Sequence, residues 1–85
     1  MFRVTDSAGQ YLGRLLRGQS REKSARLEQV ADGWRVRLDK QNQGDVAFAH
    51  EGRTVLLVED IIAGELDGAT LDVKRDKGQA MLTLH

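Results

Sequence analysis

The spacing of apolar residues changes along the chain, and its first part is typical of a helix. Five apolar residues follow the i, i+3, i+4, i+7, i+8 spacing that lines one helical face: Ala8, Tyr11, Leu12, Leu15 and Leu16. Thr5, Asp6 or Ser7 can cap this helix, and Ser7 with Gln10 has the spacing of a capping box. Gly18 is placed to end the helix in the left-handed conformation that glycine adopts readily.

Apolar and polar residues alternate through most of the remaining chain, which predicts β-strands. Three polar residues followed by glycine divide these strands into hairpins, because glycine tolerates the positive φ of tight turns: Asp32-Gly33, Glu51-Gly52 and Lys77-Gly78. Phe2 and Val4 predict a further short strand before the helix. Segment 59–65, between the second and third hairpins, predicts one helical turn capped by Asp60.

The first hairpin has a register that satisfies both its apolar and its charged residues. A two-residue turn at Asp32-Gly33 sets Ala31 opposite Trp34. The same register sets Leu27 opposite Leu38, so the apolar residues gather on one face. The other face then carries two pairs of opposite charge: Glu28 with Arg37, and Arg26 with Asp39. Each such cross-strand pair contributes about 0.2 to 1 kcal/mol.

The other two hairpins are registered in the same way. The turn of the second sets Phe48 opposite Val55, and both faces of this hairpin are expected to be partly covered. The turn of the third sets Leu71 opposite Leu84, with a three-residue turn and a bulge at Gly78 as the alternative. Together the elements predict an α+β fold of mostly antiparallel β-structure with one amino-terminal helix.

Residues 66–73, LDGATLDV, open the third hairpin. Gly68 is expected to adopt the positive φ of a turn, and Leu71 and Val73 then point into the core on an alternating strand. Asp72 lies between them and is expected to face outward with no buried partner. We therefore interpret this stretch as a folding element rather than a site.

Composition and charge limit the classes of protein that fit. A chain of 85 residues predicts a single domain, 1–85, and the absence of cysteine fits a reducing compartment, with the cytoplasm expected. No run approaches the roughly 18 apolar residues of a membrane span, so no membrane role is expected. Residues 1–43 hold nine Lys/Arg against five Asp/Glu, and residues 44–85 hold four against eight. We expect these halves to neutralise each other rather than form a basic patch, and we expect no nucleic-acid partner.

The order of these elements resembles the HesB-like, or A-type iron-sulfur carrier, family of iron-sulfur cluster biogenesis proteins. The resemblance rests on these segments: 4–8 entering the helix, Leu15-Leu16 inside it, Gly44-Asp45 with Phe48, Gly52 followed by 55–58, and 66–68 with Leu71-Asp72. It implies a HesB-like β-sandwich with one amino-terminal helix.

The resemblance also exposes a departure in the residues that matter for chemistry. Members that carry clusters have one cysteine in the loop after the first long strand and a Cys-x-Cys pair near the carboxyl terminus, because clusters favour thiolate ligands. Where the family has the loop cysteine, this chain has a tight turn at Asp32-Gly33. The sequence up to His85 contains no Cys-x-Cys pair. The resemblance therefore implies the fold, whereas cluster carriage is not expected.

Few other residues suggest a site. His50 and His85 are the weak candidates for metal ligands, although a turn neighbour and a chain end are usually solvated. Trp34 could anchor a contact, because tryptophan is enriched at binding hot spots. Arg35 and Arg37 project from the opposite face and complete a possible interaction surface.

Two functions of different class remain open from the sequence. The first is a cysteine-less binding or regulatory module for a protein partner, or a module that associates with itself. The second is a residual metal or small-molecule carrier that uses His50, His85 and carboxylates. No enzymatic activity and no cofactor are expected, because no residues form a pattern with catalytic chemistry.

Overall fold

The computed structural model describes all 85 residues and shows seven strands and two helices. The α+β class and the single long amino-terminal helix are confirmed. In chain order the elements are β1 (Arg3–Val4), α1 (Asp6–Leu15), β2 (Lys23–Val30), β3 (Gly33–Lys40), β4 (Asp45–His50), β5 (Arg53–Glu59), α2 (Asp60–Glu65), β6 (Thr70–Asp76) and β7 (Gln79–Leu84). Neither helix is long and apolar enough to cross a membrane.

The strands form two sheets that pack around one core. One sheet has the order β3-β2-β5-β4 and the other the order β1-β6-β7. All three hairpins are antiparallel, and the short pairings of β2 with β5 and of β1 with β6 are parallel. The core cluster takes residues from both sheets, from α1 and from the segments next to the two helices: Phe2, Ala8, Leu12, Leu16, Ala25, Leu27, Val55, Leu56, Val58, Leu66 and Leu71.

Thr5 caps the amino terminus of α1 and also ties this helix to β6. Its Oγ1 accepts a hydrogen bond from the Ala8 amide at 3.1 Å, so Thr5 is the cap rather than the Ser7 capping box. The same hydroxyl donates to Asp72 Oδ1 at 2.8 Å. Asp72 was expected to have no buried partner, and the half-buried Thr5 hydroxyl is a hydrogen-bond partner that this expectation did not include. The Thr5 hydrogen bond lowers the pKa of the Asp72 carboxyl below its ordinary value.

The first hairpin turns one residue earlier than the sequence predicted. Its turn is Ala31-Asp32, and Val30 pairs with Gly33, so Leu27 lies opposite Val36 instead of Leu38. Neither turn residue has a positive φ, and the positive φ falls on Gly33, the first residue of β3. A turn centred on Asp32-Gly33 would place a positive φ on Asp32 as well. The whole pairing slides by two residues, and because the side-chain period of a strand is two, the predicted faces are unchanged.

The second hairpin departs from its predicted register, and the third follows it. The turn at Glu51-Gly52 is correct, but the register shifts between Phe48 and Ala49, so Phe48 lies opposite Leu56 and Val55 has no partner. Both faces of β5 are nevertheless buried, as predicted. In the third hairpin the predicted pair of Leu71 with Leu84 forms around a two-residue turn, and the same register pairs Val73 with Leu82.

The short helical turn before β6 also forms, as α2, but its cap differs from the prediction. Asp60 is the first helical residue, and Glu59 holds the cap position without a side-chain hydrogen bond. Gly68 follows this helix with a φ of 87°, which confirms that it makes the positive-φ turn into β6.

A buried arginine organises the polar face of the four-stranded sheet. Arg26 is 3% exposed, and its guanidinium donates to Asp39 Oδ2 at 2.7 Å and to Asp45 Oδ2 at 2.6 Å. It also donates to the Lys40 carbonyl at 3.3 Å. The predicted contact between Arg26 and Asp39 forms as a diagonal rather than a directly opposite pair, because the register has moved.

The acid sensitivity of the fold should follow from this network. Hydrogen bonds from the Arg26 guanidinium hold the pKa values of Asp45 and Asp39 below their ordinary range. A carboxyl with a lowered folded-state pKa stabilises the protein above its unfolded-state pKa, so this stabilisation should be lost as the pH falls below about 4. Thermal unfolding followed between neutral and acid pH tests this. Asp45→Asn should lower the melting temperature at neutral pH and lose less on acidification, whereas Asp32→Asn, in the exposed turn, should keep the wild-type slope.

Candidate functional site

A groove lies where the first residues of β3 approach the last residues of β7. It measures about 380 Å³, and six of its eight lining residues are apolar. These residues come from both sheets: Leu27, Trp34, Arg35, Val36, Leu71, Leu82, Thr83 and Leu84. We name this feature the Trp34 groove.

The two regions in which the resemblance implies cluster-binding cysteines both border this groove. Trp34 follows the turn after the first long strand, and Leu84 is the last residue of β7. Neither region supplies sulfur, since the chain has no cysteine. The groove instead presents an apolar lining, which suits contact with another apolar side chain rather than with iron.

Trp34 and the two arginines lie on opposite faces of β3. Trp34 is half-buried and packs against the core cluster, and Leu38 on the same face is exposed. On the other face Arg35 and Arg37 are exposed, and their Nε atoms both donate to Glu28 Oε1, at 2.6 and 3.0 Å. The predicted Glu28–Arg37 contact is thus present, and two guanidinium groups share one carboxylate.

β3 is an edge strand of its sheet. It pairs with β2 on one side, and no strand pairs with it on the other. An edge strand presents a row of backbone N–H and C=O groups that can accept another strand. The Trp34 groove and this open edge therefore form one continuous surface.

Neither histidine lines the Trp34 groove, and neither has the neighbouring ligands that a metal site needs. His50 ends β4, and its Nε2 lies 3.8 Å from Glu51 Oε1. His85 follows β7, where its backbone exchanges two hydrogen bonds with Thr70. No three histidine, aspartate or glutamate side chains come close enough together to hold a metal ion.

The His50 ring rests directly on α1 because residue 9 is glycine. A Cβ at Gly9 would lie 2.7 Å from His50 Nδ1 and 2.9 Å from its Cγ, so the ring would have to move. Gly9→Ala should therefore destabilise the protein by about 1 to 3 kcal/mol despite alanine's higher helix propensity.

Gly13 provides the matched control in the same helix. Nothing lies within 4 Å of a Cβ built there, so Gly13→Ala should stabilise the protein by about 0.5 to 1 kcal/mol. Urea unfolding of both variants measures the difference. A Gly9→Ala protein as stable as Gly13→Ala would mean that His50 does not pack on this helix.

This arrangement of two sheets and one long helix is the fold of the A-type iron-sulfur carriers. The crystal structure of Escherichia coli SufA, described as involved in the biosynthesis of iron-sulfur clusters, matches with a TM-score of 0.80 and 21% identity, over 99% of this chain and 83% of SufA. A crystal structure of IscA with a [2Fe-2S] cluster matches with a TM-score of 0.64 and 22% identity, over 100% of this chain and 84% of IscA. No protein-family model and no curated protein matches the chain. The HesB-like fold expected from the sequence is thereby confirmed.

Proposed function

We propose that this protein is a cluster-free relative of the A-type carriers that binds an extended segment of a protein partner. The segment adds to the open edge of β3 and places apolar side chains in the Trp34 groove. The observation that carries this proposal is the continuity of an unpaired edge strand with an apolar groove.

The charges of β3 indicate the chemistry of the partner segment. An added strand would alternate its side chains between the two faces of the sheet. On one face they would meet Trp34, Val36 and the exposed Leu38. On the other face they would meet Arg35 and Arg37. These two arginines share the carboxylate of Glu28, and Arg37 also lies 3.3 Å from Asp39. The segment that fits therefore alternates apolar and acidic residues.

This proposal unites the three residues that the sequence singled out. Trp34 lies on the face opposite Arg35 and Arg37, and of these two only Arg35 also lines the Trp34 groove, so one flat partner surface on that face could not touch all three. A strand added beside β3 contacts both faces at once, and it therefore can. Binding rather than catalysis, action as one domain of residues 1–85, and a cytoplasmic location remain parts of the proposal. No contact in the structure favours the alternative of a histidine and carboxylate metal carrier.

Synthetic peptides test the proposal directly. A peptide as long as β3, 8 residues, with alternating valine and glutamate should bind, and a peptide with lysine in place of glutamate should not. Because Trp34 is the only tryptophan, its fluorescence should shift to shorter wavelength as the groove is covered. Amide chemical shifts should change along β3 and not along β4, the opposite edge of the same sheet.

Charge-reversal variants sharpen this experiment. The double variant Arg35→Glu with Arg37→Glu should lower the affinity for the glutamate peptide at least about tenfold, which corresponds to about 1.4 kcal/mol. Arg75→Glu, on an exposed position of β6, is the control and should leave the affinity unchanged. Equal affinity for both peptides, or shift changes on β4, would overturn the proposal. So would a dimer that forms through β3 while neither peptide binds.

A further inference from the structure

A second cleft shares no lining residue with the Trp34 groove and is strongly basic. It measures about 400 Å³ and lies between the carboxyl-terminal half of α1, the segment that follows it, and the β4–β5 turn. Four of its nine lining residues are arginines, and only one is acidic: Gln10, Gly13, Arg14, Arg17, Arg21, His50, Glu51, Arg53 and Val55. We name it the arginine cleft.

The arginines of this cleft form no ion pairs, in contrast to those of β2 and β3. Arg26, Arg35 and Arg37 each form an ion pair with a carboxylate. Arg14, Arg17, Arg21 and Arg53 form none. Carboxylates therefore neutralise the arginines of β2 and β3, whereas the arginines of the cleft have no carboxylate within ion-pair distance. Clustered like charges without counter-charges raise the free energy of the folded protein, and an anion would relieve that cost.

Two unpartnered polar atoms also belong to this cleft. His50 Nε2 and Arg53 Nε are buried and make no hydrogen bond, and they are the only such side-chain atoms in the structure. A buried polar atom without a partner is costly, so native proteins keep few of them. Both residues line the same basic cleft, so its wall holds two nitrogen atoms that no protein acceptor satisfies.

Arg53 is held rigidly while its Nε remains free. Its terminal nitrogens donate to backbone carbonyls that follow α1, at 3.2 Å to Leu16, 3.3 Å to Gln19, 2.9 Å to Ser20 and 3.4 Å to Lys23. These bonds satisfy carbonyls at the end of the helix and fix the segment that carries Arg21. His50 is fixed on the other side by its contact with Gly9. Arg53 and His50 are therefore positioned before any ligand arrives, whereas the side chains of Arg14, Arg17 and Arg21 are exposed.

The dipole of α1 explains the position of only one of the four arginines. Arg14 lies in the last turn of α1, where a cation is favourable whatever else the surface does. Arg17 and Arg21 lie beyond the helix and Arg53 begins β5, so the dipole does not account for their convergence. It accounts for neither unpartnered atom.

We propose that the arginine cleft binds a small phosphate-bearing anion. Guanidinium groups match the geometry of phosphate oxygens, and several of them together favour a multivalent anion over a single carboxylate. The unpartnered Arg53 Nε–H supplies a further donor at the cleft wall, and His50 Nε2 does so in the tautomer that carries the proton on that nitrogen. Glu51, the one acid of the lining, lies 3.8 Å from His50 Nε2 with 83% of its side chain exposed, so water screens much of its charge.

Titration with inorganic phosphate and with pyrophosphate at constant ionic strength tests this site. Pyrophosphate should bind with a Kd below about 1 mM, raise the melting temperature, and shift the amide signals of Arg14, Arg17 and His50. Inorganic phosphate should bind more weakly, because it offers fewer oxygens and less charge. Stronger binding of pyrophosphate points to a phosphoanhydride or phosphate ester as ligand, and equal binding points to free phosphate.

Variants separate the site from general charge effects. The double variant Arg17→Gln with Arg21→Gln should lower the affinity for pyrophosphate at least about tenfold. Glu51→Gln should raise this affinity, because the competing carboxylate is gone. Arg3→Gln with Arg75→Gln removes the same charge elsewhere and should change the affinity less than about twofold. The proposal is overturned if the control pair weakens binding as much as the cleft pair does. Absence of binding, or binding only of a single-stranded oligonucleotide, would overturn it as well.

Discussion

Arg26→Met is expected to lower the free energy of unfolding by about 3 to 5 kcal/mol. Methionine has a similar length and can fill the space, but it cannot donate to Asp39 or Asp45. The Asp45 side chain is only 2% exposed and keeps one other hydrogen bond, from the Asn42 amide at 2.7 Å. Without Arg26 its charge is left buried and uncompensated, and it must either stay charged at a high cost or take up a proton.

Arg37→Met provides the control on the same face. Arg37 is 46% exposed, so its ion pair with Glu28 is screened by water, and the variant should lose less than about 1 kcal/mol. Urea unfolding at neutral pH measures both changes. Adding Asp45→Asn to Arg26→Met should recover part of the loss, because the unpaired charge is removed. An Arg26→Met protein as stable as Arg37→Met would mean that the buried network does not form.

Leu71→Ala should be the second costly change, at about 2 to 5 kcal/mol. Leu71 is 2% exposed and lies where the two sheets meet, opposite Leu84 in β7 and beside Val4 in β1. Truncation at this position removes apolar contacts and leaves a cavity that the surrounding strands cannot easily close. A loss of this size would support the interpretation of the LDGATLDV stretch as a folding element.

Met81→Ala is the matched control for Leu71→Ala. Met81 lies on β7 of the same sheet but is 49% exposed, so its truncation should cost less than about 1 kcal/mol. Denaturant midpoints of the two variants give the comparison. Equal losses would show that Leu71 is not part of the core.

The sequence predicted the element order and most of the faces because both depend on local periodicity. Even where the first hairpin slid by two residues, Leu27 stayed on the apolar face and Arg26 on the polar one. The bulge at Phe48 could not be predicted, because both faces of β5 are apolar and alternation gives no register there. The partner of Asp72 was missed since Thr5 is 67 residues away in the chain.

The sites were predicted less completely than the fold. Trp34, Arg35 and Arg37 lie on one strand, so their relation was visible from the alternation alone. The arginine cleft joins Arg17 and Arg21 to Arg53 and His50 from another hairpin, and only the packing of α1 on β4 and β5 brings them together. The excess of basic residues in 1–43 was the one signal in the sequence, and it did not tell which arginines would lack carboxylate partners.

The central claim is that this chain keeps the carrier fold without the capacity to hold a cluster. Anaerobic reconstitution with iron and sulfide under reducing conditions, followed by desalting, tests it most directly. IscA serves as the positive control, because its crystal structure contains a [2Fe-2S] cluster. With no thiolate in its 85 residues, this protein should emerge without visible absorbance and without bound iron or sulfide, while IscA emerges coloured. Stable, stoichiometric iron and sulfide on this protein would contradict the account.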